Sequence, residues 1–325
     1  MSRTLIPSLR MSRLCRNRRI GGKRRRGMAG ITKREEFMMS TPTMIKAKGD
    51  GVKIQLAIWE GKGKQILSVH GITANCRFWD CLASALALHH RVIAMDLRGR
   101  GLSDKPPKGY SIEHHCKDIL ALMNDQSLER PVLMGHSLGA FISLVFAAQY
   151  PERVDCLILV DGGGKLSETQ MAKVFAGIKP SLDRLGQIFP SLETYLSLMK
   201  QAPYLQPWNS YMETYFRYEI EKADGGIRSR VHPRHIEEEA SNLKKVDSRI
   251  FFKKVRVPTL ILRATKGMMA EDDLLLPEDV VTQMVHEIPN AKRVDVEGAN
   301  HYSILFQPNE KRDQAILQFL KGTNF

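Results

Sequence analysis

Short runs of apolar residues alternate with longer amphipathic stretches from about residue 43 onward, and this order limits the possible folds more than any other feature of the chain. The apolar runs are nearly continuous, as is typical of strands covered on both faces of a parallel sheet. They lie at residues 65–70, 91–96, 131–134, 156–161 and 258–263, with a last strand at 293–296. Helical patterns separate them, for example at residues 111–124, which Ser111 can cap, and 137–150. Because strand, helix and strand follow one another with right-handed crossovers, we predict an α/β fold with a mostly parallel, twisted sheet and helices on both faces.

Two segments depart from this alternation of strand and helix patterns. The alternating run at residues 52–59 follows Gly49-Asp50-Gly51, a hairpin signal that pairs it with residues 44–48. Residues 165–250 hold amphipathic helical patterns and no convincing apolar strand run, so we predict an all-helical insertion. Ligands of open α/β sheets bind at the carboxyl ends of the strands, and an insertion there would act as a lid.

The helical patterns of this insertion lie at residues 168–178, 191–201, 210–222 and 235–245. Its aromatic and methionine side chains are expected mainly to pack against the main domain, while some line an apolar pocket. They are Tyr195, Met199, Tyr204, Trp208, Tyr211, Met212, Tyr215 and Phe216.

Net charge is concentrated at the N-terminus. The 325 residues carry a formal charge of +14, and residues 1–34 contain twelve Lys or Arg and no acidic residue. The rest of the chain is nearly neutral, with 37 basic and 35 acidic residues. We therefore predict a basic extension (1–40) that is disordered by its like charges. It precedes an α/β core of residues 41–164 and 251–325, which is interrupted by a helical lid (165–250).

The composition of this extension is that of an organellar transit peptide, and residues 23–26 resemble a short nuclear-localisation or polyanion-binding patch. A disordered tail, or an extension upstream of an internal start at Met28, is the preferred interpretation. No apolar run approaches the roughly 18 residues that span a bilayer, and no specific nucleic-acid partner is expected. We expect a cytoplasmic protein, with organellar import as an alternative, and leave the oligomeric state open.

Cysteine and histidine spacing indicates neither a disulfide framework nor a metal site. The five cysteines are odd in number and form no C-x-x-C pair, which favours reduced, buried thiols. His232 and His235 are three residues apart, but Pro233 lies between them and no further ligand motif accompanies them, so a surface or capping role is expected. We predict no metal and no cofactor.

The chemistry is indicated by the segment Val132-Leu133-Met134-Gly135-His136-Ser137-Leu138-Gly139-Ala140, an apolar strand that runs through G-x-S-x-G into a helical pattern. In such an elbow the serine occupies a strained turn, and the flanking glycines avoid collisions with neighbouring elements. Ser137 is the predicted nucleophile. The backbone N–H of Leu138, at the start of a helix, is a predicted oxyanion donor.

A serine nucleophile requires a base and an acid that orients the base. His301 follows the last predicted strand and can reach over the sheet edge, so it is the predicted base. The acid is less determined, because Asp273, Asp272 and Asp161 each follow a strand at this edge. Asp273 is preferred, although each acid can instead cap a helix or a loop.

A second oxyanion donor is expected in the loop after the strand at 65–70. Gly71 permits the turn that directs the N–H of Ile72 inward, and His70 is expected to make a structural hydrogen bond.

Four motifs in this order resemble the α/β-hydrolase fold superfamily, in particular its lid-bearing serine esterase, lactonase and haloperoxidase-like branch. They are His70-Gly71 with Phe78-Trp79 behind it, the segment 96–104 (DLRGRGLSD), Gly135 to Gly139, and Gly298 to His301. The resemblance runs from about residue 43 to the C-terminus. It implies an α/β-hydrolase fold, and it adds Trp79 to Gly71, Ile72 and Leu138 as an oxyanion or substrate-binding residue. The loop at 265–273 is longer than the usual Gly-x-x-Asp segment of the family.

The expected activity is hydrolysis of a small carboxylic ester or lactone with an apolar part, through an acyl-enzyme on Ser137. Two alternatives use the same fold. One is a carbon–carbon bond hydrolase with the same Ser-His-Asp triad, and the other is a receptor that binds a small ligand without turnover.

Overall fold

The computed structural model describes residues 41–322. The predicted basic extension, with Cys15 and Met28, lies outside these residues. Four of the five cysteines are within them, and Cys76, Cys81, Cys116 and Cys156 are buried free thiols. Within the described part of the chain, no helix has the length and apolar character needed to cross a bilayer.

Within residues 41–322, ten strands form one large sheet and one small one. In chain order they are β1 Thr43–Lys48, β2 Lys53–Trp59, β3 Gln65–Val69, β4 Arg91–Met95, β5 Val132–His136, β6 Leu157–Val160, β7 Ile220–Ala223, β8 Gly226–Ser229, β9 Thr259–Ala264 and β10 Ala291–Val296. The large sheet has eight strands in the order β1-β2-β4-β3-β5-β6-β9-β10. The β1–β2 and β2–β4 pairs are antiparallel, and all other pairs of this sheet are parallel.

Eleven α-helices connect or cover these strands in the described chain. They are α1 Asp80–Leu86, α2 Ile112–Asp125, α3 Leu138–Gln149, α4 Glu168–Asp183, α5 Leu192–Gln201, α6 Ser210–Glu219, α7 Pro233–Leu243, α8 Arg249–Phe252, α9 Glu278–Glu287, α10 Ser303–Phe306 and α11 Glu310–Leu320. As predicted, Ser111 caps α2, since its Oγ accepts the N–H of His114. His232 likewise caps α7 by accepting the N–H of Arg234 at 3.2 Å.

The predicted fold class is confirmed, because a mostly parallel sheet is covered by helices on both faces. The central strands β3, β4, β5, β6 and β9 are almost wholly buried, which explains their continuous apolar sequences. Two apolar clusters lie on opposite faces of the sheet. Leu133 and Leu159 belong to one cluster, and the alternate residues Met134 and Val160 belong to the other.

The segment between β6 and β9 is not all-helical, so that part of the prediction is wrong. After α6 the chain forms the antiparallel hairpin β7–β8, and Phe189 adds a further bridge by bonding both ways with Ile227. Asp224 and Gly225 form the turn, and Gly225 has a φ of +83°. This is the ordinary Asp-Gly hairpin signal, here beside strands too short and too polar to be recognised. We call residues 165–250 the inserted segment; its division from the core as a lid stays a prediction.

Candidate active site

Ser137 lies in a strained turn between β5 and α3, as the G-x-S-x-G pattern predicts. Its backbone has a φ of +57° and a ψ of −120°, a conformation that non-glycine residues rarely adopt. The flanking glycines allow it: a Cβ on Gly135 would lie 2.2 Å from the carbonyl oxygen of Gly139, and one on Gly139 would lie 2.0 Å from that of Val69. The turn leaves the Ser137 side chain partly exposed at the carboxyl end of the sheet.

His301 lies in the loop between β10 and α10, and its Nδ1 is 2.7 Å from Oδ2 of Asp161. Asp161 follows β6 directly, and its other oxygen, Oδ1, accepts the N–H of Ala264 at 3.1 Å. Both side chains are buried. Since a carboxylate only accepts, Nδ1 of His301 donates to Asp161, and Nε2 is the nitrogen that carries the lone pair when the ring is neutral.

Asp273, the preferred sequence-based partner of His301, does not contact it. Its two carboxylate oxygens accept the backbone N–H groups of Met268, Met269 and Ala270 at 2.5 to 3.1 Å. The contact predicted from the sequence is therefore wrong, and the physical reason is that Asp273 closes its own loop. Asp272 also points elsewhere: it is exposed and pairs with Lys173 of α4.

Two further histidines lie beside the site, and both bond to main-chain oxygens. His136 donates from Nε2 to the carbonyl of His301 at 3.0 Å, and the two rings are 4.3 Å apart. His70 donates from Nδ1 to the carbonyl of Gly71 at 2.7 Å and accepts the N–H of Leu97 at Nε2, 3.0 Å away. Burial lowers the pKa of His70 to about 3 and, together with His301, holds that of His136 well below its usual value. Both rings are neutral as a result. The expected structural hydrogen bond of His70 is confirmed.

Ile72 and Leu138, whose N–H groups are the predicted oxyanion donors, line the same cavity as Ser137. A Cβ on Gly71 would lie 3.1 Å from Cβ of Ser137, so the loop after β3 closely approaches the serine. The carbonyl of Gly71 is held by His70, and in a trans peptide the N–H of Ile72 points the opposite way. Among the described residues, no main-chain or side-chain acceptor binds either N–H. Both groups are therefore available to a ligand.

A cavity of about 680 Å³ joins these groups. Part of its lining consists of residues in the loops that follow β3, β5, β6 and β10, including Ser137 and His301, so it lies at the carboxyl ends of the parallel strands. The inserted segment provides much of the apolar wall, for example Val174 and Phe175 of α4. Of the side chains singled out in the sequence, four line the cavity, and these are Met199, Tyr204, Tyr215 and Phe216.

Trp79 was predicted to bind substrate, and the structure contradicts this. Its side chain is fully buried within the apolar cluster below the site, whereas the preceding residue, Phe78, lines the cavity. The two residues lie on the short 3₁₀ helix Cys76–Trp79, where consecutive side chains point in different directions.

Sequence reasoning missed a polar patch on the cavity wall. Ser181 and Arg184 of the inserted segment lie there with Tyr302, whose hydroxyl is 2.8 Å from Oγ of Ser181. Arg184 is buried and pairs with Glu219, which also accepts the hydroxyl of Tyr195. Nothing in the spacing of these residues marks them, because they come together from α4, α5, α6 and the loop before α10.

Fold and site together define an α/β protein with a strained serine, a histidine and an aspartate gathered under a ligand-sized cavity at the sheet edge. Comparison with known proteins agrees: the family model of the alpha/beta hydrolase fold matches residues 64–308, and the chain belongs to this family. The resemblance stated from the sequence motifs is thereby confirmed.

Some of the similar proteins are named as hydrolases, and others are uncharacterised. A 2-(acetamidomethylene)succinate hydrolase of Mesorhizobium japonicum is 28% identical over 264 residues, which cover 79% of this chain and 89% of that enzyme. A crystal structure of E-2-(acetamidomethylene)succinate hydrolase superposes with a TM-score of 0.76 at 25% identity, covering 86% of this chain and 99% of the other. Uncharacterised proteins of Mycobacterium bovis and Mycobacterium tuberculosis are 36% identical over 138 residues, which are 41% of this chain and only 40% of theirs.

Proposed function

We propose that the protein is a serine hydrolase that cleaves a small carboxylic ester or lactone through an acyl-enzyme. Ser137 is the nucleophile, His301 the general base and Asp161 the acid that orients it. The observation that carries this proposal is the 2.7 Å contact of Asp161 with Nδ1 of His301, beside a serine held at a positive φ. The membership of a hydrolase family supports it.

In the first half of the reaction, Oγ of Ser137 attacks the carbonyl carbon while Nε2 of His301 takes the hydroxyl proton. The N–H groups of Ile72 and Leu138 donate to the developing oxyanion. Collapse of the tetrahedral intermediate breaks the bond to the alcohol oxygen, which receives the proton from His301. In the second half, His301 removes a proton from water, which attacks the acyl-enzyme and releases the carboxylic acid and Ser137.

The cavity favours a substrate with an apolar part. Its wall is mainly aliphatic and aromatic, and its volume falls within the range of small-molecule sites. Because the inserted segment forms much of that wall, we propose that it acts as a lid and selects the acyl or alcohol group.

The first experiment replaces Ser137 by Ala and measures turnover on a panel of p-nitrophenyl esters and lactones. Loss of the nucleophile should lower kcat by an amount on the order of 10⁶-fold. Ser143→Ala is the matched control, because Ser143 lies buried on α3 and its hydroxyl has no hydrogen-bond partner in the described structure. That control should keep kcat within about twofold, since no hydrogen bond is lost.

A fluorophosphonate probe separates the alternatives. Labelling of wild-type protein that disappears in Ser137→Ala supports a reactive serine. An enzyme that is labelled but cleaves a dienoic diketone in preference to all esters and lactones is a carbon–carbon bond hydrolase. Absence of labelling would contradict the hydrolase mechanism and favour a receptor that binds its ligand without turnover.

A further inference from the structure

The guanidinium of Arg100 is fully buried and joins three separate parts of the chain. Its Nε donates to the carbonyl oxygen of Ile72 at 2.9 Å, and its Nη1 donates to the carbonyl of Arg98 at 3.0 Å. Its Nη2 donates to Oε2 of Glu239 at 2.8 Å. One rigid, planar group therefore bonds both the loop after β3 and helix α7 of the inserted segment.

The bond to Ile72 acts on the residue whose N–H we assign to the oxyanion. His70 already fixes the peptide that precedes Ile72, through the carbonyl of Gly71. Arg100 fixes the next peptide, through the carbonyl of Ile72 itself. With both peptides held, the direction of the Ile72 N–H is determined before a substrate binds.

Glu239 fixes the position of the Arg100 guanidinium through a buried ion pair. The Glu239 side chain is 1% exposed and also accepts from Nε2 of His115, at 2.8 Å to Oε2 and 3.1 Å to Oε1. Burial alone would raise the pKa of Glu239, but His115 and Arg100 outweigh it and lower this pKa to about 2. Glu239 is therefore ionised, and it holds the buried guanidinium by charge as well as by hydrogen bonding.

We propose that Arg100 is a positioning residue that links helix α7 of the inserted segment to the oxyanion donor Ile72. A displacement of α7 moves Glu239 and, through their ion pair, Arg100. Arg100 in turn moves the loop after β3, which carries the Ile72 N–H. The rate of the reaction then depends on the position of α7 in the inserted segment, although Arg100 does not contact the substrate. This inference rests on the proposed function in taking the Ile72 N–H as an oxyanion donor.

Arg98 offers a matched control from the same loop. Its guanidinium is also buried and paired with a carboxylate, since Nε and Nη2 each lie 2.6 Å from an oxygen of Asp118. Its other bonds go to the carbonyls of Asp50 and Gly109. Within the described structure, none of these bonds reaches residues 71–73. Arg98→Gln therefore removes a comparable buried ion pair and leaves the oxyanion loop held.

The experiment compares Arg100→Gln with Arg98→Gln on an ester and on its thionoester, in which sulfur replaces the carbonyl oxygen. A hole built for oxygen discriminates against the larger, more weakly accepting sulfur, so the ratio of the two rates reports on the geometry of its donors. Arg100→Gln should lower kcat for the ester by about 10-fold to 100-fold, with KM nearly unchanged, and should reduce the ester-to-thionoester ratio. Arg98→Gln should keep that ratio, whatever its thermal stability.

Glu239→Gln tests the same ion pair by changing the partner of Arg100. It replaces Arg100→Gln in the experiment if that variant does not fold. It should reduce the ester-to-thionoester ratio in the same direction, with a smaller loss of kcat. An unchanged ratio in Arg100→Gln, or in Glu239→Gln where that variant alone folds, would overturn the proposal. The proposed function is tested separately: if wild-type Ser137 is labelled by the fluorophosphonate, only the positioning role has failed.

Discussion

Two loops at the sheet edge each carry a buried aspartate, yet the two carboxylates do different things. One loop follows β6 and begins with Asp161; the other follows the neighbouring strand β9 and contains Asp273. Each side chain is 2% exposed. Asp161 bonds one backbone N–H and one imidazole, whereas Asp273 bonds three backbone N–H groups of its own loop.

The difference shows what a carboxylate needs in order to orient a histidine. Asp161 is anchored through Oδ1 to Ala264 on the adjacent strand, and Oδ2 remains available for a single directed contact with His301. Asp273 has both oxygens bound by the main chain of its own loop, so neither oxygen is directed at His301. Burial alone does not distinguish the two carboxylates. They differ in their hydrogen-bond partners, because only Asp161 directs an oxygen at His301.

Among the variants that test this comparison of the two aspartates, Asp161→Asn has the largest expected effect. The amide keeps the shape of the side chain but favours the wrong tautomer of His301, with the proton on Nε2, so kcat should fall on the order of 10⁴-fold while KM changes little. Steady-state kinetics on the best ester of the panel measures this. Asp272→Asn, in the exposed partner of Lys173, is the control and should leave kcat within about twofold, as surface substitutions usually do. Equal losses in both variants would contradict the assignment of Asp161.

Asp273→Asn should have the opposite profile, with stability lost and chemistry retained. The amide nitrogen cannot accept, so at least one N–H of residues 268–270 loses its partner, and the N–H of Met268 is buried. The expected cost is about 1 kcal/mol. Urea unfolding should show this as a lower midpoint at an unchanged m-value. The kcat of the folded fraction should stay within about threefold of wild type. A loss of kcat as large as that of Asp161→Asn would restore Asp273 as the orienting acid.

The sequence was sufficient for the parts of the site that depend on local structure. The turn at Ser137 follows from glycine sterics on either side of one residue, and the place of His301 follows from one strand and the loop behind it. The strands themselves follow from continuous apolar runs. In each case, the determining residues lie within a few positions of the residue they determine.

The acid could not be found in this way, because the choice depends on contacts between loops far apart in sequence. Asp161 and His301 are 140 residues apart. Asp273 does not reach His301 because residues 268–270 fold around its carboxylate. The only local signal for Asp161 was its position directly after a strand run. Phe78 and Trp79 show the same limit, since the pattern cannot tell which of two neighbouring aromatic residues faces the cavity.

His70 extends the comparison from buried aspartates to a buried histidine. The effect expected for it, on the pH dependence of stability, is the smallest of those predicted here. Like Asp273, it is buried with its polar atoms bonded to the main chain. Its pKa of about 3 in the folded protein lies below the roughly 6.5 of an unfolded chain, so between these values the unfolded state binds the extra proton. The free energy of unfolding should therefore fall as the pH decreases through this window, by up to about 1.4 kcal/mol per pH unit for this group.

His70→Asn should reduce that slope, because it removes one group that titrates only in the unfolded chain. Urea unfolding at several pH values between 7 and 4.5 measures the slope for wild type and variant. His89→Asn, at an exposed histidine, is the control and should leave the slope as in wild type. A variant that is less stable at every pH but keeps the wild-type slope would show that His70 takes up its proton in the folded protein too, and that its main-chain bonds do not keep the ring neutral.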